Sequence, residues 1–424
     1  MTSVRRVVPI TGPVDAVVDV PGSKSIANRA LVCAALADGT SELSRVPDGD
    51  DTAAMLSCLR MLGLPAELHE GQVAIDGREP SRWSVHGDLH AALAGTTSRF
   101  VTALASLGDR PITIDGHPPL RRRPFGPLQE ALQQLGVTVL PGDGFGRLPV
   151  TVAGPPIGGI VTIPGDVSSQ YVTALMLIGP YLPGGLRLRL SSELVSRPYV
   201  EMTAAVMGWF GAGTVEVGDD RITVEAGRYE AATVAIEPDA SSASYPLAVA
   251  ALVGGTVEVP GLGTEVLQGD ARFADLLAEM GCSVERDTDR VRVTGTGELR
   301  PIDVDMADVS DLVPTVAVVA AGASGESRIR GVGFIREKES DRLGDLSGEL
   351  RSAGVDVDET DDGLVIRPSR DGWHGARLAT HHDHRLAMAF GVLGSVVDGI
   401  EVEEPGVVAK SWPGFWDALD GLRS

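Results

Sequence analysis

The sequence predicts an α/β protein of two domains, each built from three similar units. Nearly all-apolar helices recur six times along the 424 residues, at a spacing of roughly seventy residues. A strand follows each apolar helix, and a second, amphipathic helix comes next. A chain of this length can form two domains with substantial cores. Three units around a shared set of inner helices make one domain, so six units make two.

The apolar helices each begin with a short polar motif. A helix that is apolar all round is expected to be buried, so these six are predicted to be inner helices. In chain order they are GSKSIANRALVCAALA, GTTSRFVTALASLG, DVSSQYVTALMLIG, DASSASYPLAVAALV, VSDLVPTVAVVAAG and HHDHRLAMAFGVLG.

The second set of helices has one polar face, which predicts outer helices that are half exposed. Strands such as GGTVEVPGL and GESRIRGV lie between the two sets. The sixth unit is shorter than the others and ends in SWPGFWDALDGL. The outer helices are DTAAMLSCLRMLGL, PFGPLQEALQQLGV, YVEMTAAVMGWFG, DARFADLLAEMGC and SDRLGDLSGELRSAGV.

The charge and the cysteine content of the chain exclude several classes of partner and indicate a cellular compartment. With 36 basic and 58 acidic residues the net charge is −22, which argues against nucleic acid or an anionic membrane as partner. The N-terminus lacks the apolar run of a signal peptide, and no segment is long enough to span a bilayer. Cys33, Cys58 and Cys282 are odd in number and far apart, as expected for buried thiols in a reducing cytoplasm. We expect a cytoplasmic monomer.

Lysine is nearly absent from this chain. Only Lys24, Lys338 and Lys410 are lysine, and the other basic residues are arginine. The two side chains serve about equally on a solvated surface. They differ where a compact ammonium must fit a tight pocket or release a proton. Each lysine lies beside a predicted turn or helix start, so we expect all three to be functional.

The N-termini of the inner helices are rich in polar residues. Helix N-termini offer unpaired N–H groups and the positive end of the dipole, which bind phosphate or carboxylate. If these ends converge on a cleft between the domains, the site suits a polyanionic small molecule. The candidate anion ligands and proton carriers are Lys24, Ser25, Arg29, Arg99, Arg123, Ser168, Ser169, Gln170, Ser196, Arg197, Tyr199, Asp311, Lys338, Glu339, Arg342, His384, Arg385 and Lys410.

Several of these motifs also have ordinary structural explanations. Serine pairs at helix starts are commonly caps, and EKESDR could be a surface helix with salt bridges. HHDH suggests zinc, but no second ligand cluster is evident. The P-loop, the dinucleotide-binding fingerprint and GxSxG are all missing. We therefore expect neither a metal nor a cofactor.

The chain resembles the 5-enolpyruvylshikimate-3-phosphate synthase family in a series of motifs that occur in the same order. They are PGSKS, AGTTSR, SSQY, LVSRPY, DASSASY, QGDARFADLLAEMG, KESDRL and DHRLAM. The resemblance runs from about residue 15 to the C-terminus. It implies two domains of three βαβαββ units around inner helices, an inside-out α/β barrel, closing on substrate. By this resemblance residues 1–20 join 238–424 in one domain, and 21–237 form the other, with the active site in the cleft.

The resemblance also implies a reaction. The enolpyruvyl group of phosphoenolpyruvate moves to the 5-hydroxyl of shikimate 3-phosphate, and phosphate leaves through a tetrahedral ketal. This step belongs to the shikimate pathway of chorismate and aromatic amino acid biosynthesis, and it is the target of glyphosate. By resemblance, shikimate 3-phosphate is bound by Ser25, Arg29, Ser168, Ser169, Ser196, Tyr199, Lys24 and Lys338. Phosphoenolpyruvate is bound by Lys24, Gly95, Arg123, Gln170, Arg342, Arg385 and Lys410.

The family's chemistry assigns two carboxylates as proton carriers. By resemblance, Asp311 takes the proton of the attacking hydroxyl and contacts the acceptor, and Glu339 serves the methylene carbon. Lys24, between both ligands, completes the catalytic set. Leu93 and Phe334 stand where the family commonly has polar residues, and Phe100 stands where proline usually follows the arginine. These departures bear on substrate affinity and on glyphosate sensitivity.

Two other functions remain as alternatives. The UDP-N-acetylglucosamine enolpyruvyl transferases share the fold and the donor, but they carry a catalytic cysteine in the loop that reads GHPPLRRRP here. A non-catalytic binding module of the same fold is the other alternative. Phosphate release from phosphoenolpyruvate separates a catalytic protein from a binding module.

Overall fold

The structure is a computed structural model that describes residues 3–369 and 372–423. The chain divides into two compact units. One is contiguous, Gly22–Ile236, and is called the inserted unit below. The other, called the terminal unit, combines the residues up to Pro21 with those from Glu237 onward.

The helices follow the predicted alternation of buried and half-exposed segments. They are α1 (Lys24–Leu36), α2 (Asp50–Met61), α3 (Gly95–Ala105), α4 (Pro118–Arg121), α5 (Gly126–Gln134), α6 (Ser169–Ile178), α7 (Arg197–Trp209), α8 (Ala240–Val253), α9 (Phe273–Glu279), α10 (Val313–Ala321), α11 (Gly344–Ser352), α12 (His384–Gly394) and α13 (Phe415–Gly421).

The strands are short and lie between these helices. They are β1 (Val4–Arg6), β2 (Val14–Val17), β3 (Gly39–Ser44), β4 (Leu68–His69), β5 (Gln72–Gly77), β6 (Leu89–His90), β7 (Ile112–Asp115), β8 (Thr138–Pro141), β9 (Val150–Ala153), β10 (Gly159–Ile163), β11 (Leu186–Leu190), β12 (Val215–Val217), β13 (Arg221–Val224), β14 (Thr233–Ala235), β15 (Gly255–Pro260), β16 (Ser283–Arg286), β17 (Arg290–Gly295), β18 (Asp303–Asp305), β19 (Ser327–Arg330), β20 (Asp356–Glu359), β21 (Leu364–Arg367), β22 (Arg377–Leu378) and β23 (Glu401–Glu403).

One sheet topology recurs in both units. The first two strands of a four-stranded sheet are parallel, and the remaining two pair antiparallel. The inserted unit has the orders β14-β3-β5-β4, β6-β7-β9-β8 and β10-β11-β13-β12. The terminal unit has β2-β15-β17-β16, β18-β19-β21-β20 and the three-stranded β1-β23-β22. This repetition confirms the predicted α/β fold of βαβαββ units. Among the described residues the strands form six separate sheets rather than one closed hydrogen-bonded barrel.

Two strands pair with a sheet of one unit although the helix that follows them belongs to the other unit. Strand β2 immediately precedes α1 of the inserted unit, yet it pairs in parallel with β15, Val14 lying opposite Gly255. Strand β14 precedes α8 of the terminal unit but pairs in parallel with β3, Thr233 lying opposite Glu42. The first strands of the first and fourth repeats are therefore exchanged between the two units.

The N-terminus completes the shortened sixth unit. Strand β1 pairs antiparallel with β23, with Val4 opposite Glu403, and so adds a third strand to that sheet. The sequence indicated the truncation but not the strand that replaces the missing ones, because the partners lie almost the whole chain apart.

The inner helices form the core of each unit. Helices α1, α3 and α6 pack together in the inserted unit, and α8, α10 and α12 do so in the terminal unit. Side chains cap several of them: Asp239 accepts the Ser242 N–H at 2.7 Å and Asp383 accepts the Arg385 N–H at 2.9 Å. None of the helices described here has the length and apolar character needed to span a bilayer.

Candidate active site

The predicted site residues occur in both units, at inner-helix starts and in the turns before them. The inserted unit holds Lys24, Ser25, Arg29, Gly95, Arg123, Ser168, Ser169, Gln170, Ser196 and Tyr199. The terminal unit holds Asp311, Lys338, Glu339, Arg342, Arg385 and Lys410.

Lys24 is held by a carboxylate that the sequence analysis missed. Its Nζ lies 2.9 Å from Oδ2 of Asp51, whose side chain is only 4% exposed. Asp51 stands in the first turn of α2, next to the start of α1. The acidic pair DD at that helix start looks like ordinary dipole compensation, so nothing in the sequence distinguished Asp51. The ion pair fixes where the Lys24 ammonium points.

Arg29 is buried, and its described hydrogen bonds all go to neutral oxygens. It donates to Oγ1 of Thr203 at 2.8 Å, to the Ser25 carbonyl at 2.7 Å and to the Tyr199 carbonyl at 3.0 Å. Burial lowers the pKa of Arg29 to about 10, so the guanidinium stays charged at neutral pH. A buried cation with neutral partners makes an anion beside it favourable.

Phe100, one of the departures from the family pattern, contributes to the Arg29 environment. The guanidinium carbon of Arg29 lies 5.6 Å from the centroid of the Phe100 ring, within the range of a cation–π contact. Phe100 is fully buried at 1% exposure. The aromatic ring therefore supports a charge that has no carboxylate partner among the residues that the structure describes.

Gly95 is needed because the Arg123 guanidinium rests on the first turn of α3. A Cβ at Gly95 would lie 2.4 Å from Nη1 of Arg123. Arg99 donates to the Pro124 carbonyl at 2.7 Å, and the Tyr171 hydroxyl donates to the same oxygen at 2.6 Å. These two bonds hold the turn that carries Arg123, which gives Arg99 a positioning role.

The starts of α3, α6 and α7 bring further polar groups together in the inserted unit. The Ser168 hydroxyl caps α6 by accepting the Gln170 N–H at 3.3 Å. The Gln170 amide donates to Oγ1 of Thr96, at the start of α3, at 3.4 Å. Ser196, the N-cap of α7, is 5% exposed and has a φ of 56°. Left-handed backbone in a non-glycine residue is uncommon and is often found at functional sites.

Arg342 is the centre of the terminal-unit cluster. It donates to Asp311 at 2.9 Å, to Glu339 at 2.8 Å and to Asp383 at 2.7 Å, and it is 1% exposed. Burial alone would lower the pKa of Arg342, but Asp383, Glu339 and Asp311 together raise it. KESDR is therefore not a surface salt-bridge helix. Asp383 was missed because its HHDH motif invited a metal interpretation instead.

The two predicted proton carriers each have a second cation. Nη2 of Arg385 lies 2.7 Å from Oδ2 of Asp311, and Nζ of Lys410 lies 2.9 Å from Oε1 of Glu339. Burial would raise the pKa of Asp311, but Arg385, Lys338 and Arg342 outweigh it and hold that pKa well below its usual range. Asp311 is therefore ionised.

Asp270 is a further carboxyl group near Asp311 that the sequence analysis did not select. It lies in a short helical turn, Gly269–Arg272, that packs against the Ala307–Leu312 turn carrying Asp311. The Ser241 hydroxyl donates to it, and it is 4% exposed. Burial first, and then repulsion from Asp311, raise its pKa to about 6 despite the opposing effect of Arg385.

The remaining departures are accommodated locally. Nζ of Lys338 lies 5.8 Å from the centroid of the Phe334 ring, within the range of a cation–π contact. Phe334 therefore lies beside Lys338, a residue that is predicted to bind substrate. Leu93 is 36% exposed just before α3.

The histidines of HHDH have separate partners. His381 lies 2.9 Å from Glu349, and His382 lies 2.9 Å from Glu404. Within residues 3–369 and 372–423, no three or more His, Cys, Asp and Glu side chains converge as a metal site.

Comparisons with known proteins agree with one another. The family model for EPSP synthase (3-phosphoshikimate 1-carboxyvinyltransferase) matches residues 8–419. A 3-phosphoshikimate 1-carboxyvinyltransferase of Methanoculleus marisnigri is 42% identical over 415 residues, 97% of each chain. The protein of the same description from Nostoc punctiforme is 41% identical over 408 residues, 95% of each chain.

Two solved structures share the fold. EPSP synthase from Acinetobacter baumannii superposes with a TM-score of 0.82 at 24% identity, covering 98% of this chain and 97% of that one. The enolpyruvyl transferase NikO from Streptomyces tendae gives a TM-score of 0.80 at 19% identity, covering 100% and 98%.

Proposed function

This chain belongs to the EPSP synthase family, and we propose on that premise which of its residues perform the family's reaction. It is a transferase that moves the enolpyruvyl group of phosphoenolpyruvate to the 5-hydroxyl of shikimate 3-phosphate and releases phosphate. The reaction is a step of the shikimate pathway of aromatic amino acid biosynthesis.

The substrates determine the kind of residue required. Together they carry two phosphates and two carboxylates, and a protein of net charge −22 repels them at long range. Local cations and helix N-termini must therefore bind them. For shikimate 3-phosphate the proposed ligands are Ser25, Arg29, Ser168, Ser169, Ser196, Tyr199, Lys338 and Asp311. For phosphoenolpyruvate they are Gly95, Arg123, Gln170, Arg342, Arg385 and Lys410, and Lys24 serves both.

Asp311 and Glu339 are the proposed proton carriers. Asp311 takes the proton of the 5-hydroxyl as that oxygen bonds to C2 of phosphoenolpyruvate, and the protonated form of Glu339 delivers a proton to the C3 methylene. The product of this step is a tetrahedral ketal. In the second step Glu339 takes a proton back from the new methyl group, the bond between C2 and the phosphate oxygen breaks, and phosphate leaves with the proton that Asp311 took from the 5-hydroxyl.

Substrate binding makes Asp311 a stronger base. Arg342 and Arg385 donate to its two carboxylate oxygens and depress its pKa. A carboxylate or phosphate bound beside these arginines competes for their hydrogen bonds. The pKa of Asp311 then rises toward its usual range, just when the 5-hydroxyl is present.

The observation that best supports these roles is the cluster built on Arg342. Arg342 forms ion pairs with Asp311 and Glu339, two carboxylates from different segments of the chain. Lys410, from a third segment, pairs with Glu339. Substrate can bind directly only to groups that keep some exposed surface. Here the Asp311 and Glu339 side chains keep 21% and 14% of their surface exposed, so substrate can reach both.

The deciding experiment measures phosphate release from phosphoenolpyruvate with and without shikimate 3-phosphate. We expect release only when both are present. UDP-N-acetylglucosamine should not replace the acceptor, and the Asp311→Asn variant is the matched inactive control. Release that does not depend on shikimate 3-phosphate, or none at all, would contradict the assignment.

A further inference from the structure

The exposed face of the β10-β11-β13-β12 sheet carries three arginines on neighbouring strands. Arg187 and Arg189 lie on β11, and Arg221 lies on β13 directly opposite Arg189. All three are exposed. Thr223, opposite Arg187, has its side chain on the same face.

The register brings two like charges unusually close. The Leu190 N–H donates to the Asp220 carbonyl, so Arg189 and Arg221 form a non-hydrogen-bonded pair of the antiparallel ladder. In such pairs the Cα atoms are only about 4.5 Å apart and the side chains are closest. Like charges directly opposite one another destabilise a sheet. Arg189 and Arg221 therefore weaken the empty sheet unless an anion lies between them.

The other sheets provide an internal comparison. Each strand arginine in them has a carboxylate partner within ion-pair distance, in the part of the chain that the structure describes. On the equivalent face of the β2-β15-β17-β16 sheet, Arg292 and Arg290 lie 2.8 and 3.0 Å from Glu258. The remaining pairs are Arg5–Asp420, Arg6–Asp398, Arg286–Asp275, Arg328–Glu326, Arg330–Asp303, Arg367–Asp358 and Arg377–Glu403.

Arg187, Arg189 and Arg221 differ from all of these. No carboxylate lies within ion-pair distance of them among the described residues, although the chain has 58 acidic residues. Glu216 lies on the neighbouring strand β12 opposite Thr223, and it forms no ion pair with them in the described chain. In so acidic a protein, three arginines without carboxylates mark a place where a different anion is expected.

We propose that these three arginines form a second anion site, for a small ligand that carries two adjacent phosphates. They line a cavity of about 240 Å³ together with Ile160 and Thr223. That volume is below the roughly 300–1,000 Å³ of pockets for drug-sized ligands, so it suits a diphosphate group rather than a protein segment. Guanidinium groups bind phosphate in bidentate geometry, and the Thr223 hydroxyl adds a donor.

The diphosphate could be free or belong to a nucleotide. Ile160, 54% exposed at one side of the cavity, offers an apolar surface for a nucleobase. Pyrophosphate and ATP are therefore the two probes. Tighter binding of ATP assigns the site to a nucleotide, and equal binding assigns it to a bare diphosphate.

The test compares the wild-type protein with the triple variant Arg187→Gln/Arg189→Gln/Arg221→Gln by titration calorimetry. We expect the triple variant to lose at least about tenfold in affinity for pyrophosphate, since each lost charge-assisted contact weakens binding severalfold. The matched control is Arg290→Gln/Arg292→Gln, which removes two arginines of the equivalent face and should leave the affinity unchanged. Hydrogen exchange should show pyrophosphate protecting residues 186–190 and 221–224.

Two further readouts separate this site from the catalytic one. The steady-state constants for both substrates should be the same in the triple variant and the wild type. Arg189→Gln alone should raise the melting temperature without ligand, because it removes the opposed charges. Equal pyrophosphate affinity in the wild type and the triple variant, or equal losses in the triple variant and the control, would overturn the proposal.

Discussion

Replacing Asp270 by asparagine is expected to stabilise the protein at neutral pH. Its folded-state pKa is about 6, against 3.8 in an unfolded chain, because burial disfavours the charged form. A raised carboxyl pKa contributes stability that is fully present below the unfolded value and is lost as the pH rises through the folded value. The difference of about two pKa units corresponds to roughly 3 kcal/mol lost at neutral pH.

Asparagine at position 270 cannot titrate, and its side chain has nearly the same shape as that of aspartate. Its side-chain oxygen can still accept the Ser241 hydroxyl, as Asp270 does in the structure. The free energy of unfolding of Asp270→Asn should therefore exceed that of the wild type by up to about 3 kcal/mol near pH 7.5. About half of this difference, on the order of 1 kcal/mol, should develop between about pH 5 and about pH 7.5.

Urea unfolding at several pH values measures this difference. Asp275→Asn, at a side chain 56% exposed on α9, controls for the general effect of replacing aspartate by asparagine. If Asp270→Asn has the same pH dependence of stability as the wild type, Asp270 is not the titrating group. Its burial would then not have the cost inferred here.

Three further variants test the catalytic assignments. Asp311→Asn should lower kcat by about 10²–10⁴-fold with little change in the affinity for shikimate 3-phosphate. Enzyme assays measure kcat and calorimetry measures the affinity. Equal losses in both would mean that Asp311 only binds the substrate. Lys24→Ala should abolish turnover with an unchanged circular dichroism spectrum, and turnover within a few-fold of the wild type would remove Lys24 from the catalytic set. Gly95→Ala should push the Arg123 guanidinium away and raise the KM for phosphoenolpyruvate without unfolding, since the Cβ meets only the end of a flexible side chain; Gly208→Ala, where a Cβ meets nothing within 4 Å, is the control.

The sequence predicted the repeating fold because each unit carries its own local signal. Apolar helices such as α8 and amphipathic ones such as α11 differ in periodicity within a dozen residues. The exchange of β2 and β14 has no such signal. Both strands are short and pair with partners roughly 190 to 240 residues away, so their choice of sheet depends on tertiary packing.

The candidate site was predictable to different degrees. Charged residues in unusual motifs, such as Lys24 and Arg342, could be selected from the sequence alone. Their partners Asp51 and Asp383 could not, because an aspartate at a helix start normally caps the helix or compensates its dipole. Asp383 does cap α12, and its pairing with Arg342 is visible only in three dimensions.

The N-terminal strand has a consequence for the order in which the molecule folds during synthesis. The inserted unit is complete once Ile236 has been made, because all strands of its three sheets lie within Gly22–Ile236. Strand β1 cannot pair until β23, at Glu401–Glu403, has been made. At about 5–20 residues per second, that interval is roughly 20–80 s. Strand β1 is thus made long before its partner, and its backbone N–H and C=O groups stay without that partner strand in the interval.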